Sequence, residues 1–218
     1  MTCKPAPPQP ATPAASGPQI RATVVTIRTT TLPENKSITH TLVIAGDHAR
    51  ATNEHDTWRL YDTKANTVTY VDDIAKTIRT ETLAQIVKRR HGALANALPE
   101  HYPRATLTHG TKRTLQGVTA EQSIITAATF RHELWLGEHP AIPRGLFALM
   151  HASEPLSSPL APMMRDVEEP LLATRAFPLA EHIEMTFGNS KIAVDREVVS
   201  IAQQNVPASL VTVPAYRR

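Results

Sequence analysis

The 218-residue chain reads as a mainly β, α+β domain, an antiparallel sheet with one or two helices laid across it. Three observations predict this class. Apolar side chains recur with period two through most of the chain, threonine is frequent among the alternating positions, and the breaks between runs are short and polar. Short breaks join antiparallel neighbours, because parallel strands need a crossover of about a dozen residues or more.

The N-terminus is different in kind. Residues 4–18 hold six prolines and no large apolar side chain. Such a stretch buries too little surface to offset its ordering entropy. Residues 1–18 are therefore expected to form an extended Pro/Ala-rich tether, and 19–218 the folded domain.

The elements then follow in order. Ile20, Ala22 and Val24 alternate with Arg21 and Thr23, after which Val25 and Ile27 take the opposite face. Ile38, His40, Leu42 and Ile44 repeat the pattern, and Gly46-Asp47 reads as a turn. Residues 56–61, 67–71 and 76–81 complete a five-stranded meander. Thr82 and Gln85 have the spacing of a capping box, in which each side chain satisfies the other's free amide. They open a helix over 82–98 whose apolar face holds Leu83, Ile86, Val87 and Leu94, and Pro99 closes it. A helix of that length after a meander packs across one face of the sheet. Strands resume at 105–108, 112–116, 120–126 and 129–136, with Gly117 in a turn. A weaker helix over 142–151 precedes a loop over 153–170 that contains four prolines. Residues 181–187 and 191–201 flank Gly188-Asn189-Ser190 as a hairpin, and 210–213 reads as a last short strand.

Composition narrows the function. The formal net charge is only +3, and no aromatic side chain interleaves with the densest cationic run, Lys88-Arg89-Arg90, so no nucleic-acid surface is expected and a solvated face explains the run. No stretch reaches the roughly 18 apolar residues that span a bilayer. The single cysteine allows no internal disulfide. Neither the G-x-S-x-G elbow nor a glycine-rich phosphate loop occurs, and no catalytic residues or cofactors are expected. The ten histidines show no metal-binding spacing; His48, Glu54, His55 and Asp56 come nearest, and surface positions explain the set, so no metal is expected. His132 and Glu133 fall on opposite faces of a strand. The acid pairs Asp72-Asp73 and Glu168-Glu169 read as solvated turns.

Two features invite a binding function. Cys3, ahead of the tether, looks like the lipid-bearing cysteine of a mature bacterial lipoprotein, with a free thiol on a loose tail as the alternative. Lipidation would place the domain in the bacterial periplasm or anchored in the cell envelope, touching membrane only through that lipid. Trp58, Tyr61, Tyr70, Phe130, Trp135 and Phe187 lie on expected strands, and Leu83, Ile86 and Val87 on the helix. These side chains either line a cavity for an acyl chain or simply fill the core.

A resemblance adds to this. The order of Trp58-Arg59-Leu60-Tyr61-Asp62, Thr67-Val68-Thr69-Tyr70-Val71-Asp72 and Lys76-Thr77-Ile78-Arg79 resembles an uncharacterised bacterial envelope family related to the periplasmic and outer-membrane lipoprotein carriers of LolA/LolB-like fold. Thr114-Leu115-Gln116-Gly117-Val118, Glu133-Leu134-Trp135-Leu136, Phe177-Pro178-Leu179 and the closing Val213-Pro214-Ala215-Tyr216 continue the series, over about residues 20–216. Ala215 stands where a glycine is common in that family, and 153–170 is an insertion. The resemblance implies a curved antiparallel sheet, an incomplete β-barrel, with helices over its concave face. It also implies a hydrophobic ligand, a lipid or an acylated protein, held without chemistry. The competing expectation is an envelope interaction or sensing module that meets a protein partner through a sheet edge or the 153–170 loop.

Overall fold

The structure, a computed structural model, describes residues 17–52, 57–95, 104–154 and 165–216. Cys3, Glu54, His55, Asp56 and most of the proline-rich loop lie outside these residues.

Among the described residues eleven strands form one antiparallel sheet that does not close into a barrel. The first meander comprises β1 (Gln19–Leu32), β2 (Lys36–Ala45), β3 (His48–Thr52), β4 (Thr57–Asp62), β5 (Thr67–Asp72) and β6 (Thr77–Thr82). Helix α1 (Leu83–Ala95) leads to the second: β7 (Thr106–Leu115), β8 (Val118–Ala127), β9 (Phe130–Gly137), β10 (Phe177–Phe187) and β11 (Ser190–Pro207). Between β9 and β10 lie α2 (Leu146–Ala152), a 3-10 turn (Arg165–Val167) and α3 (Glu168–Ala173). The two meanders join through the long β1–β11 pairing, which runs from Gln19↔Pro207 to Leu32↔Ala193 with one bulge, and β6 and β7 are the free edges.

Local chemistry explains the connections. The α1 capping box forms as its spacing requires: the Gln85 amide donates to Thr82 Oγ1 (3.2 Å) and the Thr82 amide to Gln85 Oε1 (2.8 Å). Gln116 and Gly117 both have positive φ, 48° and 77°, the two-residue turn whose twist suits a hairpin. The β10–β11 hairpin closes at Phe187↔Ser190 around Gly188.

The sheet curls. Helix α2 touches both β4 and β10, which stand five strand steps apart in the sheet order. In a flat sheet five steps cover about 24 Å. A seven-residue helix is about 10 Å long, so its closeness to both strands fits a bent surface, as does the inner core that the two meanders share. On the inner side Val25, Leu42, Val68, Ile125, Leu134 and Leu179 meet Ile86 of α1, Leu146 and Leu149 of α2, and Leu171 of α3. Each of these side chains is almost fully buried, a contribution of roughly 1.5–3 kcal/mol apiece. The outer side holds two small clusters. Ala22, Val24, Val43 and Val206 pack under Leu210 and Val211, and Trp58, Leu60 and Val71 pack under Val211 and Tyr216. The face switch between Val24 and Val25 is the one the sequence pattern predicts.

Several expectations are corrected. Residues 208–211 form a 3-10 turn instead of contributing to a strand: the β1–β11 ladder ends at Gln19↔Pro207, beyond which the Ala208 amide donates to the Pro18 carbonyl (2.9 Å). Strand β3 adds a sixth strand to the expected five-stranded meander; its inward side chains are alanines, Ala49 and Ala51, which leave no clear period in the sequence. Strand β7 runs unbroken through Gly110, where the register shifts between His109 and Lys112 and a Cβ would lie 2.2 Å from Gln122 Oε1. Arg90 and Glu168, both read as solvated, are 3% and 2% exposed and pair with each other. His132 and His151 are buried as well, not at the surface.

Candidate functional site

Strands β4, β5 and β6 build one wall of the concave face in register. Cross-strand pairing sets three rungs there: Thr57-Asp72-Thr77, Arg59-Tyr70-Arg79 and Tyr61-Val68-Glu81. Period-two alternation turns all nine side chains to the same side. Tyr61 and Val68 continue into the core, whereas the Arg-Tyr-Arg rung faces a cavity of about 790 Å³ bounded across from it by Met150 and Glu154 at the end of α2. A second cavity, about 340 Å³, adjoins it and shares Ala51, Met150 and Glu154. Its walls are mostly apolar, including Ile27, Ile38, Leu42, Phe147, Phe177 and Val198. Together they form a groove between α2 and the curled sheet, in the size range of small-molecule sites. Ile38 is 48% exposed, a large apolar side chain left uncovered on the rim.

A buried polar network seats the helices beside this groove. Arg90 of α1 donates to Glu168 of α3 (3.0 Å) and to the carbonyl oxygen of Glu154 (2.8 Å), and His91 lies 2.8 Å from the other Glu168 oxygen. On the sheet, His132 Nε2 is 3.1 Å from Glu181 Oε2, which Arg196 also approaches at 3.7 Å. Burial pushes the Glu181 carboxyl up, but the His132 hydrogen bond and the charges of His132 and Arg196 outweigh it and hold it below its usual range. Burial, assisted by the Arg90 charge, lowers the His151 pKa to about 4, so its imidazole is neutral, and its Nε2 is buried with no hydrogen-bond partner among the described residues. Burial raises the Glu154 carboxyl despite the Arg196 charge beside it.

Histidines and carboxylates therefore do converge, and among the described residues the nearby Ser153 hydroxyl is turned away from them. Ser153 donates its hydroxyl to the Met150 carbonyl (2.9 Å), as a helix-end residue does, and not to a histidine. His132 and Glu133 are separated by the strand as expected, Glu133 turning to Gln122 and Arg131. His48 pairs with Asp62 at 3.2 Å, away from this network. Among the described residues no group of three or more His, Cys, Asp or Glu side chains is placed to hold a metal ion. No described helix is long and apolar enough to cross a membrane.

The residues singled out in the sequence divide by face. Tyr61 and Tyr70 line the groove. Trp58 borders it, but its indole belongs to the outer cluster, where Nε1 donates to Asp73 (2.9 Å) and the Arg50 guanidinium lies 3.7 Å from the ring centre. The Tyr216 hydroxyl also donates to Asp73, which pushes the Tyr216 pKa up to about 12 and strengthens the C-terminal strap over Trp58. Trp135 lies under the Arg113 guanidinium (3.9 Å) beside a separate polar cavity with His182 and Asp195. Phe130 and Ile86 fill the core, and Leu83 and Val87 pack against it. Helix α1 thus seals the core, and the groove lies beside α2 instead of beneath the helix over 82–98. Met150, Phe147, Glu154 and Ile38 carry no groove signal in the sequence, because a seven-residue helix has little amphipathic period and a curled sheet is invisible in local alternation.

No protein-family model matches the chain, and no curated protein matches it. Solved structures with some likeness include PNGF-II in two crystal forms, with TM-scores of 0.47 and 0.46 and 11% and 10% identity. These alignments cover 88% of this chain, which spans only 30% of the PNGF-II chain. A LolA superfamily protein, NE2245 from Nitrosomonas europaea, aligns over 91% of both chains with a TM-score of 0.30 and 8% identity. With TM-scores below 0.5, these likenesses assign neither family nor activity.

Proposed function

We propose that the chain is a non-catalytic binding protein of the bacterial cell envelope that holds a hydrophobic ligand, a lipid or the acyl chain of a lipoprotein, between its curled sheet and α2. The groove carries this reading: two adjoining cavities of about 340 and 790 Å³, lined by Ile27, Leu42, Phe147, Met150 and Tyr61, with Ile38 uncovered at the rim. Apolar surface left open in this way is stabilised by an apolar occupant, because water gains nothing by wetting it. The helix at the mouth is only two turns long, which suits a site that opens and closes. The envelope location rests on the single cysteine, Cys3, standing ahead of a Pro/Ala-rich stretch, a pattern that suits lipid attachment.

The alternative, a protein-interaction module, would use the free edges β6 and β7. Those edges bear Arg79, Lys112 and Arg113, charges of the kind that discourage strand addition. Native mass spectrometry of the full chain purified gently from membranes separates the two. A co-purifying lipid or acylated peptide supports the binding protein. Mass-clean protein that takes up no N-phenyl-1-naphthylamine, a neutral apolar probe, defeats it.

A further inference from the structure

The Arg59-Tyr70-Arg79 rung places two cations side by side on one wall of the groove. Both guanidiniums sit against the Tyr70 ring, Arg79 at 4.4 Å and Arg59 at 5.8 Å from its centre. Arg79 uses one edge on Glu81 (2.5 Å), which Arg89 also contacts at 3.2 Å, so one carboxylate already serves two cations. Arg59 makes no ion pair among the described residues. The Tyr70 hydroxyl is buried with no hydrogen-bond partner among the described residues, and burial together with the Glu81 charge raises its pKa, keeping it a donor. Thr57 and Thr77 add two hydroxyls on the adjoining rung. Two carboxylates also face this cavity. Asp72 is engaged, accepting the turn amides of Ile74 (2.9 Å) and Ala75 (2.7 Å), and Glu154 stands across the groove near Arg90 and Arg196. What remains open on this wall is donor-rich and cationic.

We infer that the β4–β6 end of the groove is an anion seat, where Arg59, Arg79 and the Tyr70 hydroxyl receive the phosphate or carboxylate head of an amphiphile whose apolar tail lies under α2. The inference rests on the proposed function for the tail and adds the chemistry of the head. Arginine suits an anionic head, since its planar fork matches an oxyanion at two points and keeps donors free while stacked on an aromatic ring. The apolar cavity adjoins this wall through Ala51 and Met150, so one linear molecule reaches both.

The test is a head-group series at constant chain length, below micelle-forming concentrations: dodecyl phosphate, lauric acid, dodecanol, dodecylamine and inorganic phosphate, titrated into the full chain by calorimetry. Dodecyl phosphate and lauric acid are expected to bind about tenfold or more tighter than dodecanol, as charge-assisted hydrogen bonds imply. The advantage should fall with added salt. Arg59→Gln should remove most of it, bringing the anions' affinities towards that of dodecanol, and Tyr70→Phe should reduce it in a chain that keeps its packing. Dodecanol or dodecylamine binding as tightly as the anions overturns the seat and leaves the apolar groove standing. Inorganic phosphate binding as well as dodecyl phosphate overturns the amphiphile. Failure of every alkyl compound to bind removes the groove reading itself. If Arg59→Gln does not fold, the series on the unaltered chain still decides.

Discussion

Replacing Glu168 by Gln should be among the most costly single changes in the protein that leave its volume unchanged. Glu168 is 2% exposed, and its two oxygens meet Arg90 at 3.0 Å and His91 at 2.8 Å. Arg90 is 3% exposed and also reaches the Glu154 carbonyl, so this ion pair ties α1, the end of α2 and α3 together. With Gln at 168 the guanidinium stays buried without its paired carboxylate. Removing one partner of a buried pair costs about 3–5 kcal/mol, and the lower end applies because the amide oxygen still accepts. For a chain of this length about 3 kcal/mol lowers Tm by about 6–12 °C. Urea unfolding followed by circular dichroism measures the loss. A change of less than about 1 kcal/mol would refute the claim that this pair is dry and mutually dependent. The double variant Arg90→Met with Glu168→Leu supplies the control, since it removes both charges together and should recover most of the loss.

Other consequences are equally specific. His151 is neutral in the fold, with its pKa lowered from the usual 6.5 to about 4 by burial, so the unfolded chain binds the extra proton between those values. Stability should therefore fall by up to about 3 kcal/mol as pH drops from about 6.5 towards 4, and His151→Phe should flatten that part of a pH–stability profile. Thr82→Ala removes half of the α1 capping box and should cost about 1 kcal/mol in denaturant unfolding. Truncation after Pro207 strips Val211 and Tyr216 from Trp58, and the tryptophan emission should shift to the red; an unchanged spectrum would contradict the strap.

The strand order and the capped helix are legible in the sequence because each is a local property. Period-two alternation in β1, β2, β5 and β8 needs only one residue's preference and its neighbour's, and Thr82 with Gln85 is a four-residue signal. The groove is not legible there. It depends on how far eleven strands bend, a sum of small twists that no short window contains. Tyr61 and Tyr70 face the groove, yet Trp58, with the same composition cue, buries its ring on the outer side because it stands one position out of phase. Arg90 and Glu168 read as solvated because each meets its partner only across the fold. Arg90 and Glu168 are 78 residues apart, and nothing in a local pattern announces such a pairing.

A photoreactive fatty acid carrying a diazirine at the chain end, cross-linked to the full chain and mapped by peptide mass spectrometry, addresses the groove most directly. Adducts should concentrate on Leu42, Ala51, Phe147 and Met150, the walls between the curled sheet and α2. Labelling confined to outer apolar positions such as Ile74 and Val199, or spread without preference, would contradict a ligand held inside the sheet.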